Sequence, residues 1–428
     1  MESTERQRYF IISILLVVLA LAALLHQAII GEAPLLRSIL QSFEGFISLQ
    51  TKPARLINDF TLSSGVGGAY LNAAIMGTLT LLIIRVNGVR LSGPTVAAIL
   101  TIVGFSLFGK TPLNTAPIIL GVYLAGRIVK KPFKNYLLIA LFGTAGGPIF
   151  SFIFAESGLS PMVALGAAAA AGIVFGMVLP SAAMAMLRMH EGFNLYNIGL
   201  TVGFLSLFAA SIKRAANADM AIEVLWNSNP DPVLIATPFV LSVVLIAAGL
   251  WMATPKSREQ LPQQFRKIYR MSGRLPSDFM DLGRDPAALI NAGILGLIAS
   301  VYLAVVGADF NGPVIGAVFT LVGFGTFGKH VKNSVPVMLG VAAATLLSGK
   351  SLTAPGPVLA LIFSTTLAPL SGEFGMIIGF LAGMTHLVMV EQTAAWHGGL
   401  NLYNNGFAGG LTATLFVAVI QWFRANRE

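Results

Sequence analysis

The sequence predicts an all-α, polytopic transmembrane helical bundle built from two copies of one unit. Of the 428 residues, 55% are hydrophobic and only 11% are charged, against about 25% charged residues in ordinary soluble domains. Apolar stretches of membrane-spanning length recur along the whole chain, which leaves no room between them for a sizeable soluble domain. A repeat within the sequence indicates the duplication.

The internal repeat has two parts. Residues 71–121 align with residues 290–340 without a gap, at an offset of 219 positions (290 − 71), and 20 of the 51 aligned positions are identical. Residues 190–199 then recur as residues 397–406, at an offset of 207 positions (397 − 190). Self-similarity of this length indicates a duplicated structural unit. The predicted domains are residues 1–66 (first transmembrane helix and interfacial segment), 67–212 (transmembrane repeat 1), 213–285 (connecting helix and basic cytoplasmic loop) and 286–423 (transmembrane repeat 2).

The Lys and Arg residues predict how the chain crosses the membrane. Cytoplasmic loops carry an excess of basic residues, so we place the N-terminus, the loop 127–134, the connector 254–285 and the C-terminus inside. The segment 67–87 then runs inward, whereas its copy 286–306 runs outward. This parity is typical of an inverted-topology repeat, whose functional site usually lies near the bilayer midplane. We predict a multi-pass protein of the cell (inner) membrane with cytoplasmic N- and C-termini.

Two pairs of short apolar segments predict broken or re-entrant hairpins. The pairs are 94–109 with 113–127 and 311–328 with 334–347. All four segments fall short of the ~20 residues that a full helical span needs. A Gly-Lys turn separates the two arms of each pair, so each chain segment is expected to enter the membrane and turn back.

Each hairpin turn carries the motif Gly-Phe-x-x-Phe-Gly-Lys-x-x-x-Asn, at residues 104–114 and 323–333. The glycines let the backbone approach a solute, the next helix offers free N–H groups at its N-terminus, and the lysine adds a positive charge. In the alternative interpretation, each lysine snorkels to a lipid headgroup and the glycines only tighten helix packing. The candidate solute-binding residues of this motif are Gly109, Lys110, Asn114, Gly328, Lys329 and Asn333.

A second duplicated motif, His-x-Gly-x-Asn-Leu-Tyr-Asn-x-Gly, precedes an apolar helix in both halves. Polar side chains at this depth are expected either to line a water-filled path or to be buried with partners. Amide and hydroxyl groups would suit a hydrogen-bonding solute, and helix capping is the equal alternative. The candidate residues are Asn194, Tyr196, Asn197, Asn401, Tyr403 and Asn404.

Isolated ionisable residues suggest possible ion coupling. A carboxylate beside an imidazole inside a bundle can relay protons, and the sequence places Glu191 next to His190 and Glu391 near His397. Neither carboxylate is duplicated, which fits a single coupling site. It fits loop residues that face water equally well.

Several functional classes find no support in the sequence. The chain has no Cys, which excludes disulfides and thiolate metal sites, and its net charge of +9 is explained by membrane topology. We find no convincing metal-ligand spacing, nucleotide-binding loop or nucleophile motif, so we expect no enzymatic activity, no metal and no cofactor. The expected partners are the lipid bilayer and a small solute, with proton or sodium coupling and homo-oligomerisation left open, and no nucleic acid.

The whole chain resembles an uncharacterised family of bacterial and archaeal polytopic membrane proteins, a domain of unknown function. A more distant similarity is to urea channels, in which a Gly-rich helix and a Gly-Leu-Tyr-Gly-Phe-Asn-Gly-type segment recur in two inverted halves. Residues 379–383 with 399–406 echo that order, as do residues 192–199 in the first half. The chain departs from it by an extra Asn-Leu before the Tyr and by lacking the Leu-Pro-x-Pro signature.

Together these features predict a transport protein of the secondary-transporter type, which moves a small polar or anionic solute through a site between two inverted repeats. One alternative is a passive, urea-channel-like pore for a small neutral solute, which needs no coupling residue and no moving part. The other alternative is a membrane-embedded enzyme acting on lipids, which would require clustered Glu, Asp or His residues on neighbouring helices.

Overall fold

The computed structural model describes residues 3–216, 220–229, 231–283 and 285–426. Within these ranges the secondary structure is helical, apart from one isolated β-bridge between Asn58 and Leu225. Ten helical segments of the described residues are long and apolar enough to cross a membrane. The predicted polytopic helical bundle is therefore confirmed.

The first half of the chain contains ten α-helices. They are α1 (Ser3–Ile29), α2 (Leu35–Leu49), α3 (Phe60–Ser63), α4 (Gly65–Val86), α5 (Gly93–Phe105), α6 (Pro112–Ile128), α7 (Leu137–Gly143), α8 (Gly147–Glu156), α9 (Pro161–His190) and α10 (Asn197–Ala215), with 3₁₀ turns at Phe133–Tyr136 and Thr144–Gly146.

The second half repeats this order after three short helices in the connector. Its helices are α11 (Pro232–Met252), α12 (Pro255–Glu259), α13 (Leu261–Ile268), α14 (Phe279–Gly283), α15 (Asp285–Val306), α16 (Gly312–Phe324), α17 (Val331–Leu347), α18 (Pro355–Phe363), α19 (Ala368–Phe374), α20 (Met376–Trp396) and α21 (Asn404–Ala425), with a 3₁₀ turn at Ser364–Leu367.

The duplicated unit includes one helix more than the sequence repeat indicates. Helix α1 packs along α4, and α11 packs along α15, the copy of α4. An added Cβ at Gly77 would lie 2.4 Å from the Leu16 side chain, and one at the equivalent Gly296 would lie 2.3 Å from the Ser242 side chain. Helices α1 and α11 thus occupy equivalent places, although the sequence analysis assigns them to separate N-terminal and connecting domains.

The two halves contact each other reciprocally. An added Cβ at Gly104 of α5 would lie 2.7 Å from the Gly316 carbonyl oxygen of α16, and at the equivalent pair an added Cβ at Gly323 would lie 3.0 Å from Ala97 Cα. Contacts of the type i to j and j to i relate two copies by a two-fold axis. The contacts between α5 and α16 are thus of the kind that a two-fold relation between the halves would produce.

The hairpins occur where the sequence places them, as α5–α6 and α16–α17. Each first arm is a 13-residue helix with Pro at its start, where a missing N–H costs nothing. Each second arm is a 17-residue helix. A buried turn that carries Lys110 or Lys329 joins the two arms.

Two spans are interrupted in a way the sequence analysis does not anticipate. Residues 136–155 and 355–370 each form a continuous apolar run in the sequence, but the first is divided into α7 and α8 and the second into α18 and α19. A short 3₁₀ turn separates the halves of each span. Proline near the start of α8 and of α19 cannot donate the backbone bond that a continuous helix would need at that point.

Helix α2, in the segment predicted to lie at the interface, packs through small residues. Ser38 and Ser42 donate hydrogen bonds to backbone carbonyls of α1, and an added Cβ at Gly45 would lie 2.9 Å from Gly68 Cα of α4. The opposite side exposes Leu36 and Ile47. An outward apolar face on a membrane protein is expected to contact lipid.

The bundle has two distinguishable ends, because α11 separates residues 220–229 from residues 254–285. We call the end with residues 254–285 the connector end and the other the far end. Asp278 accepts a hydrogen bond from the N–H of Gly93 at the start of α5, so α5 begins at the connector end. Asp59, which is bonded to Asn227 and Leu225, accepts from the N–H of Gly312 at the start of α16, so α16 begins at the far end.

Candidate functional site

A cavity of about 300 Å³ lies between the two halves. The middle of this cavity is lined by residues in equivalent positions of the two repeats, and half of these residues are aromatic. The pairs are Thr101 and Thr320, Phe105 and Phe324, Phe142 and Phe363, Leu195 and Leu402, Tyr196 and Tyr403, and Gly199 and Gly406.

The two hairpin lysines lie directly behind the cavity tyrosines. Lys110 Nζ is 2.5 Å from the hydroxyl of Tyr403 and 2.7 Å from Thr144 Oγ1. Each lysine is fully buried and contacts the tyrosine of the other repeat. We call Lys110–Tyr403 and Lys329–Tyr196 the Lys–Tyr pairs.

The second Lys–Tyr pair has nearly the same geometry. Lys329 Nζ is 2.5 Å from the Tyr196 hydroxyl and 2.8 Å from Thr365 Oγ1. It also lies 4.3 Å from the centre of the Tyr196 ring, and Lys110 lies 4.4 Å from that of Tyr403. At these distances an ammonium is attracted by the face of the ring. The ring of the tyrosine would therefore attract an ammonium at either lysine nitrogen.

Neither lysine has an acidic partner in the part of the chain that the structure describes. The ion pairs among the described residues do not include Lys110 or Lys329. An isolated charge in a low-dielectric interior is very costly unless it is neutralised or compensated. The lysines do not line the cavity themselves. Any solute would meet the two tyrosines first and the lysines only through them.

The turn glycines make room for contacts between the repeats. An added Cβ at Gly109 would lie 2.5 Å from the Leu402 side chain, and one at Gly328 would lie 3.0 Å from the Leu195 side chain. Both leucines line the cavity, next to the tyrosines of the Lys–Tyr pairs. Glycine at these positions therefore brings each hairpin turn against the tyrosine segment of the other half.

The asparagines of the hairpin motif cap helices. Asn114 accepts a hydrogen bond from the N–H of Thr111 and donates to the Gly109 carbonyl and to Ser151. Asn333 makes the equivalent bonds to His330 and Gly328. Both belong to capping boxes at the start of α6 and α17. Their side chains shape the turns and do not reach the cavity.

Asn194 and Asn401 connect the two repeats. Asn194 donates to the Gly406 carbonyl and Asn401 donates to the Gly199 carbonyl, at 3.0 and 3.2 Å. Each also accepts from the backbone N–H of the tyrosine two residues later. These bonds fix the backbone that presents Tyr196 and Tyr403.

Asn197 and Asn404 bind the nearby histidines and the preceding helices. His190 Nε2 is 2.9 Å from Asn197 Oδ1, and His397 Nε2 is 3.0 Å from Asn404 Oδ1. The amide groups donate to carbonyls of α9 and α20. Asn197 also contributes to the cavity lining.

The two carboxylates considered for ion coupling do not pair with the rings of His190 and His397. Glu191 pairs with Arg274 and accepts from Gln421, whereas Glu391 pairs with Lys350. Neither glutamate lines the cavity. The structure does not bring Glu191 and Glu391 together with the Lys–Tyr pairs.

The cavity extends from its symmetric middle to the connector end. The additional lining residues include Pro94, Leu138 and Leu275. Their counterparts toward the far end, Pro313 and Leu359, are buried and do not line it. In the described part of the chain, the cavity therefore extends toward only one end, although the two repeats around it are nearly symmetric.

Residues 220–229 cover the far end. Leu225 donates from its N–H to the Ile57 carbonyl and accepts from the N–H of Asp59. Burial raises the pKa of Asp59 to about 6, although hydrogen bonds from Thr61, Asn227 and Gly312 oppose the shift. Asp278, its counterpart at the connector end, is only half-buried, and burial again raises its pKa.

Comparison with known families agrees with the predicted resemblance to an uncharacterised family. The model of the family described as protein of unknown function DUF1576 matches residues 38–215 and 257–422, which is most of the chain. The chain belongs to the DUF1576 family. No curated protein and no solved structure matches it. The similarity to urea channels and the bacterial or archaeal origin remain expectations for this DUF1576 protein.

Sequence reasoning misses the threonine partners of the lysines. They lie in a motif Phe-x-Thr-x-x-x-Pro that occurs at residues 142–148 and again at residues 363–369, at a third offset of 221 positions (363 − 142). Sequence reasoning also misses a repeated Asp-Phe dipeptide. It occurs at Asp59-Phe60 and Asp278-Phe279, which are 219 positions apart (278 − 59). A search for short matches at neighbouring offsets would find both.

One polar contact of the cavity is not duplicated. Asn405 lines the cavity, and its Oδ1 is 3.0 Å from Nε2 of the buried His386. The equivalent position in the first repeat is Ile198. Each repeat thus adds to the cavity lining one asparagine that the other repeat does not match there, Asn197 in the first repeat and Asn405 in the second.

Proposed function

We propose that this DUF1576 protein is a secondary transporter that moves a small polar or anionic solute through the cavity between its two repeats. The observation that carries the proposal is the shape of the cavity. Its middle is lined by equivalent residues of both halves, yet it extends toward the connector end alone. A symmetric frame with one open end is expected of one state of an alternating-access cycle.

We propose further that the repeats have inverted topology. Helix α5 begins at the connector end, whereas its copy α16 begins at the far end. Reciprocal contacts such as Gly104–Gly316 and Ala97–Gly323 support a two-fold relation between the halves. The basic residues of the connector favour a cytoplasmic connector end. On this basis the cavity opens to the cytoplasm.

The passive-pore alternative requires a path that is open to both ends. The far end is covered by residues 220–229, and the buried Pro313 and Leu359 stand where the lining of a continuous pore would be. These features favour transport by a conformational change over passive permeation.

Uptake by proteoliposomes tests the proposal. The purified protein would be offered a panel of small solutes that includes benzenesulfonate, which stays charged and crosses bilayers slowly, and urea. We expect saturable uptake of at least one polar or anionic solute. An imposed proton or sodium gradient should drive accumulation of the solute above its external concentration. Protein-free liposomes should take up only the amount that diffuses through the lipid bilayer.

Two results would contradict secondary transport. One is rapid, non-saturating equilibration of urea that no gradient alters, which would establish the passive pore. The other is the absence of flux above protein-free liposomes for every member of the panel under all gradients.

A further inference from the structure

We infer that the Lys–Tyr pairs form a proton-linked site for the charged group of an organic anion, whose apolar body occupies the aromatic middle of the cavity. This inference rests on the proposed transport function and names its substrate class. The four residues that carry it are Lys110, Tyr403, Lys329 and Tyr196.

The hydrogen bonds around each lysine leave two arrangements of protons. Thr144 donates its hydroxyl to the Leu141 carbonyl and Thr365 donates to that of Ile362, so each threonine oxygen accepts from its lysine. The tyrosine hydroxyl can donate to a neutral amine, or it can accept from an ammonium. The charge of the lysine thus decides whether the tyrosine O–H is engaged by the amine or is free to donate to another acceptor.

The two arrangements offer a solute different chemistry. With a neutral amine, the O–H bond of the tyrosine points to the lysine nitrogen and only oxygen lone pairs face the cavity. When the amine takes up one proton from water, it donates to the phenol oxygen, and the tyrosine O–H is freed to donate into the cavity. No bond between heavy atoms forms or breaks. The protonated pair is a charge-assisted hydrogen-bond donor, which suits an anion.

Because no carboxylate of the described residues pairs with either lysine, binding of the proton is linked to binding of the anion. An ammonium without a counter-charge is costly at this depth, and an anion facing only lone pairs would be repelled. An anion and a proton that enter together leave the pair neutral overall. Binding of one anion is therefore expected to take up one proton.

No other titratable group takes this role at the pairs. The groups in contact with the lysine nitrogens are two threonines and two tyrosines. His330 follows Lys329, but its ring bonds the Met271 carbonyl and the N–H of Asn333. His386 reaches the cavity only through Asn405. In the described residues, no acidic side chain pairs with any of these groups.

The cavity walls define the rest of the ligand. Beside the tyrosines they consist largely of Phe105, Phe142, Phe324 and Phe363. A volume of about 300 Å³ is at the small end of the range for ligand pockets. The fitting ligand is a small anion with an apolar chain or ring, held by its head at a Lys–Tyr pair.

Calorimetric titration of the detergent-purified full chain tests the inference. The probes are benzenesulfonate, whose charge does not titrate, benzoate, and the neutral benzenesulfonamide as the uncharged match. Titrations in two buffers of different ionisation enthalpy count the protons taken up. We expect one proton per bound benzenesulfonate, affinity that falls about tenfold per pH unit as pH rises, and at least tenfold weaker binding of the sulfonamide.

Variants show where the proton goes. The double variant Y196F/Y403F keeps both rings and removes both hydroxyls. The double variant K110M/K329M removes both amines. Either double variant should lose the proton uptake and the preference for the anion. The control is Y70F, which removes a buried tyrosine hydroxyl that bonds Thr237 outside this cavity. It should bind benzenesulfonate as the parent does.

Three results would overturn the inference: no binding of either anion, equal binding of the sulfonamide without proton uptake, or proton-linked binding that survives in both double variants. A protein that still transports a neutral solute against its gradient would keep the proposed function while losing this inference. Failure of both would appear as absence of anion binding together with absence of flux.

Discussion

Replacing both Lys110 and Lys329 by methionine is expected to lower benzenesulfonate uptake by proteoliposomes about 100-fold. Each lysine supports the hydroxyl of a cavity tyrosine, and loss of a hydrogen bond to a charged group is worth up to about 3 kcal/mol. Folding should be preserved, because a buried methionine avoids the cost of burying an unpaired charge. Initial uptake rates and thermal unfolding midpoints measure the two effects separately.

The matched control for this experiment is Lys332→Met. Lys332 lies three residues from Lys329 but is exposed on α17, so its replacement should leave uptake unchanged. Uptake at the parent rate in the folded double variant would show that the lysines serve only the packing of the hairpins.

The largest loss of stability is expected from Gly121→Ala and Gly340→Ala. An added Cβ would lie 2.1 Å from the Ile173 carbonyl oxygen at Gly121 and 2.0 Å from the Phe380 carbonyl oxygen at Gly340. Helices α6 and α17 would have to move away from α9 and α20. Overpacking of this kind typically lowers the free energy of unfolding by about 1–3 kcal/mol. The contacted atoms belong to the backbone of the opposite helix, which cannot move aside by a rotamer change as a side chain could. Thermal unfolding and the yield of monodisperse protein measure the effect.

Gly166→Ala provides the control for the glycine prediction. Gly166 lies in α9, and an added Cβ there would meet nothing within 4 Å. Alanine has the higher helix propensity, so this variant should be as stable as the parent or slightly more stable. Equal unfolding midpoints for Gly121→Ala, Gly340→Ala and Gly166→Ala would mean that the helices are not in close backbone contact.

Much of the fold could be predicted from the sequence, because membrane insertion and duplication leave strong patterns. The hairpins followed from apolar segments too short to span and from repeated Gly-Lys turns. The breaks within the segments 136–155 and 355–370 did not, since both read as continuous apolar runs. The signals for those breaks, Pro148 and Pro369, become visible only when the third offset is recognised.

The candidate site was predicted in its residues but not in its arrangement. The sequence identifies Lys110 and Tyr403 separately, yet 293 positions separate them, and no local pattern indicates that each lysine meets a tyrosine of the other repeat. The amides show a second limit. A motif with Asn194 and Asn197 does not reveal whether they face a solute or bind backbone, and here they bind backbone and a histidine.

Accessibility of two equivalent leucines tests most directly whether the cavity opens alternately to the two ends. Leu138 lines the cavity at the connector end, and its counterpart Leu359 is buried toward the far end. The chain has no natural cysteine, so Leu138→Cys and Leu359→Cys can each be labelled with a membrane-impermeant thiol reagent applied from one side of a vesicle.

Leu138→Cys is expected to react from the connector side and Leu359→Cys only from the opposite side, and a transported solute should change the two rates in opposite directions. A cysteine at 359 that stays unreactive under every solute and gradient would contradict alternating access. Simultaneous reaction of both positions from either side would contradict it as well, because it would mean a continuous pore.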